Sequence, residues 1–328
     1  MLERIRIQNF RCFRELEAPL RPLTVLVGCN DTGKSSFLAA MNMAWTGGNL
    51  GPLDHWEMSL FNTIDIQTFG PSVQTSLAAT GGPVKINRVL RHRPYRPEGT
   101  QGPEHTPGGA ALFEFPAGGP AMKSPGHADE GPPPALGFRG EGIPAFLDYL
   151  LRRERRRFDD FVAAMREHVA GLLDINVATP DPKTRRVDLK IDSGIELPAD
   201  RASVGVRLML FFMALTYHPA PPHVILLEEP ENGVHPRRLQ EIMALLHGIT
   251  KGVHCGRPAQ VILTTHSPYL LDHVNLDEDQ VLVFRRNDDG SRTAEPADAK
   301  RLKIFLDEFM LGEVWFNQGE EGLVKREG

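Results

Sequence analysis

The chain has 328 residues, of which 41% are hydrophobic and 24% charged, so it can bury a large core and is not expected to be disordered throughout. Its net charge of -5 argues against a protein that coats DNA through its overall field, since contact with nucleic acid would need a local basic patch. Cys12, Cys29 and Cys255 lack metal-ligand spacing, and no leader or long apolar run is visible, so we expect a cytoplasmic protein without disulfides, zinc or membrane contact.

The N-terminal residues predict a strand, a glycine-rich loop and a helix. Residues 2–10 alternate apolar and polar side chains as a strand does, and a second strand is predicted at about 14–20. Residues 23–27, LTVLV, lack polar alternation, which is typical of a parallel strand buried on both faces. Residues 35–45 are rich in helix formers and follow the glycines directly.

The middle of the chain changes character from residue 46 onward, where Gly and Pro become frequent. Residues 98–137 are predicted to be a flexible Pro/Gly-rich loop, residues 84–92 a strand, and residues 143–169 one amphipathic helix. The Pro and Gly density excludes a sustained coiled-coil heptad here.

Strands and helices alternate in the last part of the chain. Strands are predicted at 185–191, 224–227, 261–264 and 281–286, and helices at 203–217 and 237–249. This order predicts an α/β fold with a mixed sheet, flanking helices and an irregular Pro/Gly-rich insertion carrying a helix.

The loop Gly28-Cys29-Asn30-Asp31-Thr32-Gly33-Lys34-Ser35 predicts an ATP phosphate site, because its glycines let backbone N–H groups point at phosphate oxygens ahead of a helix N-terminus. Lys34 would reach the β- and γ-phosphates, and Ser35 would ligate Mg²⁺. The alternative is a chance Gly-rich turn, which the flanking strand and helix argue against.

Polar residues end two later strands of the predicted sheet. Glu228 would hold Mg²⁺ through water, and Glu229 would orient and deprotonate the attacking water; the alternative is a pair of solvated acids. His266 could contact the γ-phosphate or that water, although a structural histidine is the alternative. Ser203 can cap the next helix and Gly205 can let a phosphate approach, but an N-cap alone accounts for both.

These pieces in this order resemble the ABC-type ATPase heads of the RecF, SMC and Rad50 group, particularly AAA-family ATPases related to OLD proteins. The resemblance rests on IQNFRCF at 7–13, on Asn30 in the G-x-N-x-x-G-K-S loop, on EPENGVHP at 229–236 and on THSP at 265–268. It covers residues 1–45 and about 185–272, with a weaker likeness at 311–316.

The resemblance implies a P-loop NTPase of ABC-ATPase type that binds ATP and Mg²⁺. Its nucleotide-binding residues would be Gly28, Asn30, Asp31, Thr32, Gly33, Lys34, Ser35 and Ser36. It also implies a head-to-tail homodimer, with each ATP held by one P-loop and by Ser203 and Gly205 of the other subunit. Arg11 would contact phosphate within its own subunit, or else be a surface arginine at a strand end. The head would comprise residues 1–46 and 185–328, with 47–184 an inserted lid or helical region.

Two positions depart from the family pattern and predict slow hydrolysis. Glu228 stands where the family most often has aspartate, and the signature around Ser203 keeps only S-x-G. The leading hypothesis is an ATP-gated dimeric ATPase that controls an effector in DNA repair or anti-phage defence. The alternative is a nucleotide-dependent scaffold or inhibitor without hydrolysis. A transporter ATPase subunit is disfavoured by EPENGVHP and by the missing LSGGQ.

The partner is expected to be a separate effector protein such as a nuclease or toxin. Relatives often carry a TOPRIM nuclease, for which the roughly 60 residues after His266 leave too little room. The basic run at 152–157 is interpreted as a solvated helix face, with a phosphate-binding patch as the alternative, so contact with nucleic acid stays open.

Overall fold

The computed structural model describes residues 1–46, 49–50, 64–70, 73–79, 82–83, 85–90, 109–126, 131–306 and 309–324. The strands of these residues are β1 (Arg4–Phe10), β2 (Phe13–Pro19), β3 (Leu23–Val27), β4 (Asn49–Leu50), β5 (Ile64–Phe69), β6 (Val73–Ala79), β7 (Gly82–Pro83), β8 (Lys85–Leu90), β9 (Ala110–Glu114), β10 (Lys123–Pro125), β11 (Leu172–Asp181), β12 (Thr184–Ile191), β13 (Glu196–Pro198), β14 (Val224–Glu228), β15 (Gln260–Thr264), β16 (Gln280–Arg286) and β17 (Arg292–Pro296). The helices are α1 (Lys34–Thr46), α2 (Ile143–Arg153), α3 (Arg155–His168), α4 (Val204–Thr216), α5 (Leu239–Lys251), α6 (Pro268–Leu271), α7 (Ala299–Phe305) and α8 (Leu311–Leu323).

The chain divides into two compact units. The first comprises Met1–Leu112, Pro222–Glu229 and Ala259–Gly328, and the second comprises Phe113–Pro221 and Pro230–Pro258. Each unit has its own sheet and helices.

The first unit contains a six-stranded sheet in the order β17-β16-β3-β15-β14-β9. Strands β14, β15, β3 and β16 run parallel to one another, and β17 is antiparallel to β16. Every residue of β3 and β15 is buried, which explains why both sequences are apolar without alternation. Because these strands are parallel, their carboxyl ends meet at one edge of the sheet.

A second sheet of the first unit is antiparallel throughout, in the order β2-β1-β5-β6-β8. It pairs β1 with strands from the stretch predicted to be inserted. Helix α1 buries Phe37, Leu38, Met41 and Ala44 in a core that also contains residues of both sheets. That shared core accounts for the nearly continuous apolar sequence of α1.

The second unit combines a small antiparallel sheet with helices α2, α3, α4 and α5. Its strands run β10-β12-β11, and β13 pairs with β12. Helix α4 is the most buried of these helices, since all residues from Leu208 to Thr216 are buried. The rings of Phe113 and Phe115 pack edge-on against Phe211 of α4.

The predicted α/β class with a mixed sheet is confirmed, but two local predictions were wrong. Residues 143–169 form two helices, because Glu154 takes a non-helical conformation (φ -134°, ψ 55°) and its side chain pairs with Arg157 of α3. The stretch 98–137 contains β9 and β10, because an apolar run there buries Phe113. Residues 91–108 and 127–130 of the predicted strand and loop lie outside the described residues.

Among the helices described, none has both the length and the apolar character that a membrane span needs.

Candidate functional site

The glycine-rich loop lies between β3 and α1, as its sequence predicts, and both of its glycines are sterically required. Gly28 has φ +145°, and a Cβ there would lie 2.5 Å from the Phe284 carbonyl oxygen. Gly33 has φ +101°, and a Cβ there would lie 2.9 Å from both Cys12 Sγ and Phe13 Cζ. The loop backbone therefore packs too closely against neighbouring strands for any side chain at these positions.

Lys34 begins α1, and its ammonium group turns back into the loop. Its Nζ donates hydrogen bonds to the carbonyl oxygens of Gly28 at 2.8 Å and Cys29 at 2.9 Å. Burial lowers the pKa of Lys34, while the carboxylate of Glu229 opposes that shift. Thr32 closes the same turn by donating to the Cys29 carbonyl oxygen at 2.8 Å. The loop is thus folded around a buried cation, the charge that a phosphate chain requires.

Ser35 and Glu228 are brought into direct contact although they are 193 positions apart in the chain. The Ser35 hydroxyl donates to Oε1 of Glu228, which ends β14. Hydroxyl and carboxylate oxygens are the ligands that Mg²⁺ prefers, with water and phosphate completing its shell. The extra methylene of Glu228 therefore does not prevent this side chain from reaching Ser35, the predicted Mg²⁺ ligand.

Glu229 and His266 follow the ends of the neighbouring strands β14 and β15 and face each other. His266 Nε2 lies 3.5 Å from Glu229 Oε1. Glu229 has a positive φ of 43°, and its backbone N–H donates to Thr264 Oγ1 at 3.1 Å. Burial and the Lys34 ammonium lower the pKa of His266, so a neutral imidazole is favoured beside the acid.

Arg292 supports the loop and was not singled out from the sequence. Its side chain is only 8% exposed, and it donates to the Asp31 carbonyl oxygen at 2.8 Å and to Asp31 Oδ2 at 3.0 Å. The backbone N–H of Arg292 donates to the Cys12 carbonyl oxygen at 3.2 Å. This residue therefore connects β17, the phosphate loop and the turn between β1 and β2.

Asn30, Ser36 and Arg11 lie in the same unit as the loop. Asn30 is exposed, and Ser36 hydrogen-bonds the Cys12 thiol, whose pKa is raised by burial. Arg11 has φ 49° at the turn between β1 and β2, with its guanidinium 5.2 Å from the centre of the Phe10 ring. The turn that carries Arg11 packs on the phosphate loop through the contact of Cys12 with Gly33.

Ser203 and Gly205 belong to the second unit. Ser203 is the N-cap of α4, and its side chain accepts from the Val206 backbone N–H at 3.4 Å. Gly205 leaves room for a Cβ, since the nearest atom, the Gly233 carbonyl oxygen, would be 3.8 Å away. The capping interpretation of Ser203 thus accounts for its local contacts, and its role toward a partner subunit stays a prediction.

The basic run at 152–157 and the acidic triplet at 277–279 both have structural partners. Arg152 pairs with Asp148, Arg155 with Asp159 and Arg157 with Glu154, so acids of the two helices and of the break between them offset these arginines. The buried Asp279 accepts the Asn275 backbone N–H at 2.8 Å. Within the described part of the chain, no group of three or more His, Cys, Asp or Glu side chains is arranged to hold a metal ion.

Comparison with family models matches both halves of this site. Residues 1–48 match the family described as "AAA ATPase domain". Residues 126–272 match the family described as "AAA domain, putative AbiEii toxin, Type IV TA system". The first match contains the phosphate loop, and the second contains Glu228, Glu229 and His266.

One curated relative is an OLD nuclease of Thermus scotoductus, which is 23% identical over 342 residues. The match covers 88% of this chain and 63% of that relative, so the chain spans less than two thirds of its length.

Solved structures of SMC heads share the fold. A head bound to the C-winged helix domain of ScpA has a TM-score of 0.61 at 11% identity, covering 92% of this chain and 99% of that one. A head with an extended coiled coil, bound to the C-terminal domain of ScpA from Pyrococcus furiosus, scores 0.57 at 11% identity, covering 94% and 98%. The head from Thermotoga maritima scores 0.51 at 14% identity, covering 91% and 99%.

The family matches and the shared fold agree with the motif order along the chain. The family matches, the OLD relative and the shared SMC-head fold therefore support the resemblance to AAA/ABC-type ATPases related to the OLD, SMC and Rad50 proteins.

Proposed function

We propose that this protein binds ATP with Mg²⁺, hydrolyses it slowly and acts as an ATP-gated dimeric switch for a partner effector. The observation that carries the proposal is the convergence of Lys34, Ser35, Glu228, Glu229 and His266 at the carboxyl ends of β3, β14 and β15. A lysine, a hydroxyl, two acids and a neutral histidine are the groups that phosphoryl transfer to water needs.

The loop residues fit the phosphates of ATP, because Lys34 supplies a buried positive charge and the loop leads into the N-terminus of α1. Ser35 and Glu228 would hold Mg²⁺, which when bound offsets charge on the phosphate oxygens. Glu229 would accept the proton of the attacking water, and Thr264 holds its backbone in place. His266 would donate the single N–H of its neutral ring to that carboxylate and so keep it oriented toward the attacking water.

Steady-state phosphate release with ATP and Mg²⁺ tests this assignment. We expect slow turnover in the natural protein, no turnover with retained ATP binding in Glu229→Gln, and loss of ATP binding in Lys34→Ala. A Lys34→Ala protein that binds ATP as tightly as the natural one would refute the site assignment.

The dimer and effector parts of the proposal rest on the relatives. Two of the matched SMC heads are bound to domains of ScpA, and the matched OLD protein is a nuclease. By this analogy we propose that ATP closes a head-to-tail homodimer through Ser203 and Gly205, and that the dimer controls a nuclease or toxin partner. Light scattering of Glu229→Gln with and without ATP measures dimerisation directly; Ser203→Arg should prevent it.

A second candidate is a nucleotide-dependent scaffold without hydrolysis, which is favoured by Glu228 in the position of the usual aspartate. Glu228→Asp separates the two candidates. If glutamate blocks hydrolysis, phosphate release should be absent in the natural protein and appear in Glu228→Asp. Measurable turnover in the natural protein that ends in Glu229→Gln would exclude the scaffold.

A further inference from the structure

Helix α8 bends at Gly319, and the bend brings an acid onto the phosphate loop. Gly319 has φ 64° and ψ -160°, a backbone conformation that is almost restricted to glycine. The next residue, Glu320, accepts a hydrogen bond from the Cys29 thiol, with Sγ 3.3 Å from Oε1. Glu320 and Cys29 are 291 positions apart, so the fold alone creates this contact.

The contact borders a cavity of about 420 Å³ beside the loop. Charged groups face it from each element that forms it: Asp31 from the loop, Arg285 and Arg286 from β16, and Glu320 and Glu321 from α8. The Lys34 ammonium also lies close to Cys29, since its Nζ donates to the Cys29 carbonyl oxygen at 2.9 Å. The hydrogen bond and charge of Glu320 raise the pKa of the Cys29 thiol, while Lys34 lowers it.

A carboxylate in this place opposes the ligand of the loop. The loop gathers positive charge and N–H groups for phosphate, and Glu320 puts a negative charge at its second residue. Like charges at this separation repel, whereas the same carboxylate stabilises the Lys34 ammonium when no phosphate is present. Glu320 and the phosphates therefore compete for the same positive loop.

We propose that Glu320 is a counter-charge of the phosphate loop, which must withdraw from Cys29 when ATP binds, so that nucleotide occupancy and the position of the end of α8 are linked. This rests on the proposed function, because it assumes that phosphates bind the Gly28–Ser35 loop. Binding of ATP thereby moves a segment at the end of the described chain, and anything that pulls this segment away promotes ATP binding.

The first test is ATP affinity, measured by titration calorimetry with Mg²⁺. Glu320→Gln removes the charge and should tighten ATP binding about five- to tenfold, the scale expected for one charge at short range in a solvated site. Gly319→Ala keeps the charge but disfavours the bend, and because no atom lies within 4 Å of the added Cβ it strains only the backbone. It should tighten binding as well. The exposed Glu321 offers a matched control in Glu321→Gln, which should change affinity less than twofold.

The second test needs no nucleotide and reads the contact itself. The rate of Cys29 alkylation by iodoacetamide is followed against pH, with the modified peptide identified by mass spectrometry. Glu320→Gln and Gly319→Ala should lower the thiol pKa and raise the rate at pH 7.5 about three- to tenfold, whereas Glu321→Gln should leave both unchanged. In the natural protein, saturating ATP should also change the rate.

These outcomes separate the two proposals. If the natural protein does not bind ATP, the proposed function fails, and the alkylation profiles still report on the contact. If it binds ATP through Lys34 but Glu320→Gln and Gly319→Ala leave its affinity unchanged, the counter-charge inference is overturned. A Cys29 pKa that is identical in all variants overturns it as well.

Discussion

Replacement of Arg292 should loosen the phosphate loop more than removal of its ion-pair partner does. The Arg292 side chain is 8% exposed, whereas that of Asp31 is 84% exposed. An ion pair with so exposed a carboxylate contributes less than about 1 kcal/mol to the free energy of unfolding. The guanidinium also donates to the backbone carbonyl oxygens of Asp31 and Gly290, and those bonds are lost only when the arginine is removed.

The magnitudes follow from these contacts. Loss of buried, charge-assisted hydrogen bonds and of side-chain packing in Arg292→Ala should cost about 2–4 kcal/mol, a fall in Tm of roughly 3–6 °C for a chain of 328 residues. Asp31→Asn should cost below about 1 kcal/mol, because asparagine tolerates the positive φ of 60° at this position. Arg292→Lys keeps the charge but loses the planar guanidinium with its several donors. Its Tm should therefore be closer to that of Arg292→Ala than to that of the natural protein.

Differential scanning fluorimetry and ATP titration of the three variants check this order. A loop that is no longer held in place must be ordered by the ligand, so Arg292→Ala should weaken ATP binding at least about tenfold while Asp31→Asn keeps it within about twofold. Equal losses of Tm and of ATP affinity in Arg292→Ala and Asp31→Asn would show that the exposed ion pair stabilises the loop and that the hydrogen bonds to the carbonyl oxygens do not. Unchanged ATP affinity in Arg292→Ala would refute a role in holding the loop.

Three further predictions follow from single contacts. Gly33→Ala should lower Tm more than Gly290→Ala, because both glycines have positive φ but only Gly33 has atoms within 3 Å of the added Cβ. The overpacking at Gly33 should cost about 1–3 kcal/mol more, and equal losses of Tm in the two variants would contradict the clash. Thr264→Val removes the hydroxyl that accepts the Glu229 backbone N–H and should lower kcat at an unchanged ATP Kd, whereas a parallel loss of both would indicate a general structural defect. His218 is 5% exposed, its Nδ1 accepts a backbone N–H, and burial lowers its pKa, so only the neutral ring suits the fold. Its stabilising contribution is complete above about pH 6.5 and is lost as the pH falls from there through the lowered folded-state pKa; the decline of Tm should be shallower in His218→Gln, and equal slopes would contradict it.

The positions of the glycine-rich loop and of the two strand-end acids could be predicted because their signals are local. The apolar strand and the helix on either side of the glycine-rich loop are adjacent to it in the sequence, and EPENGVHP directly follows a buried strand. The break at Glu154 could not be predicted from apolar spacing, because the helical pattern continues across it. Strand β5 was not predicted, although its buried and partly exposed side chains alternate as in a strand. The glycines and prolines in the surrounding sequence favoured a loop instead.

Arg292 and Glu320 could not be predicted at all, because they act across the fold. Arg292 lies 261 positions from Asp31, and nothing in the sequence around it distinguishes it from other arginines that end or begin strands. Glu320 reaches Cys29 only because α8 bends at Gly319. Contacts of this kind depend on topology, which local periodicity does not encode.

The contacts of the glycine-rich loop differ in how readily they can change. This difference indicates which contact is suited to regulate the loop. Gly28 is confined by a strand backbone at Phe284, and Gly33 by Cys12 and Phe13 of the hairpin between β1 and β2, so moving either would disrupt a sheet. Glu320 instead lies beyond a glycine with open space around it. Small energies can shift such a segment without disturbing the core. We therefore expect regulatory input to reach the proposed ATP site through the end of α8, while the hairpin and β16 hold the loop in place.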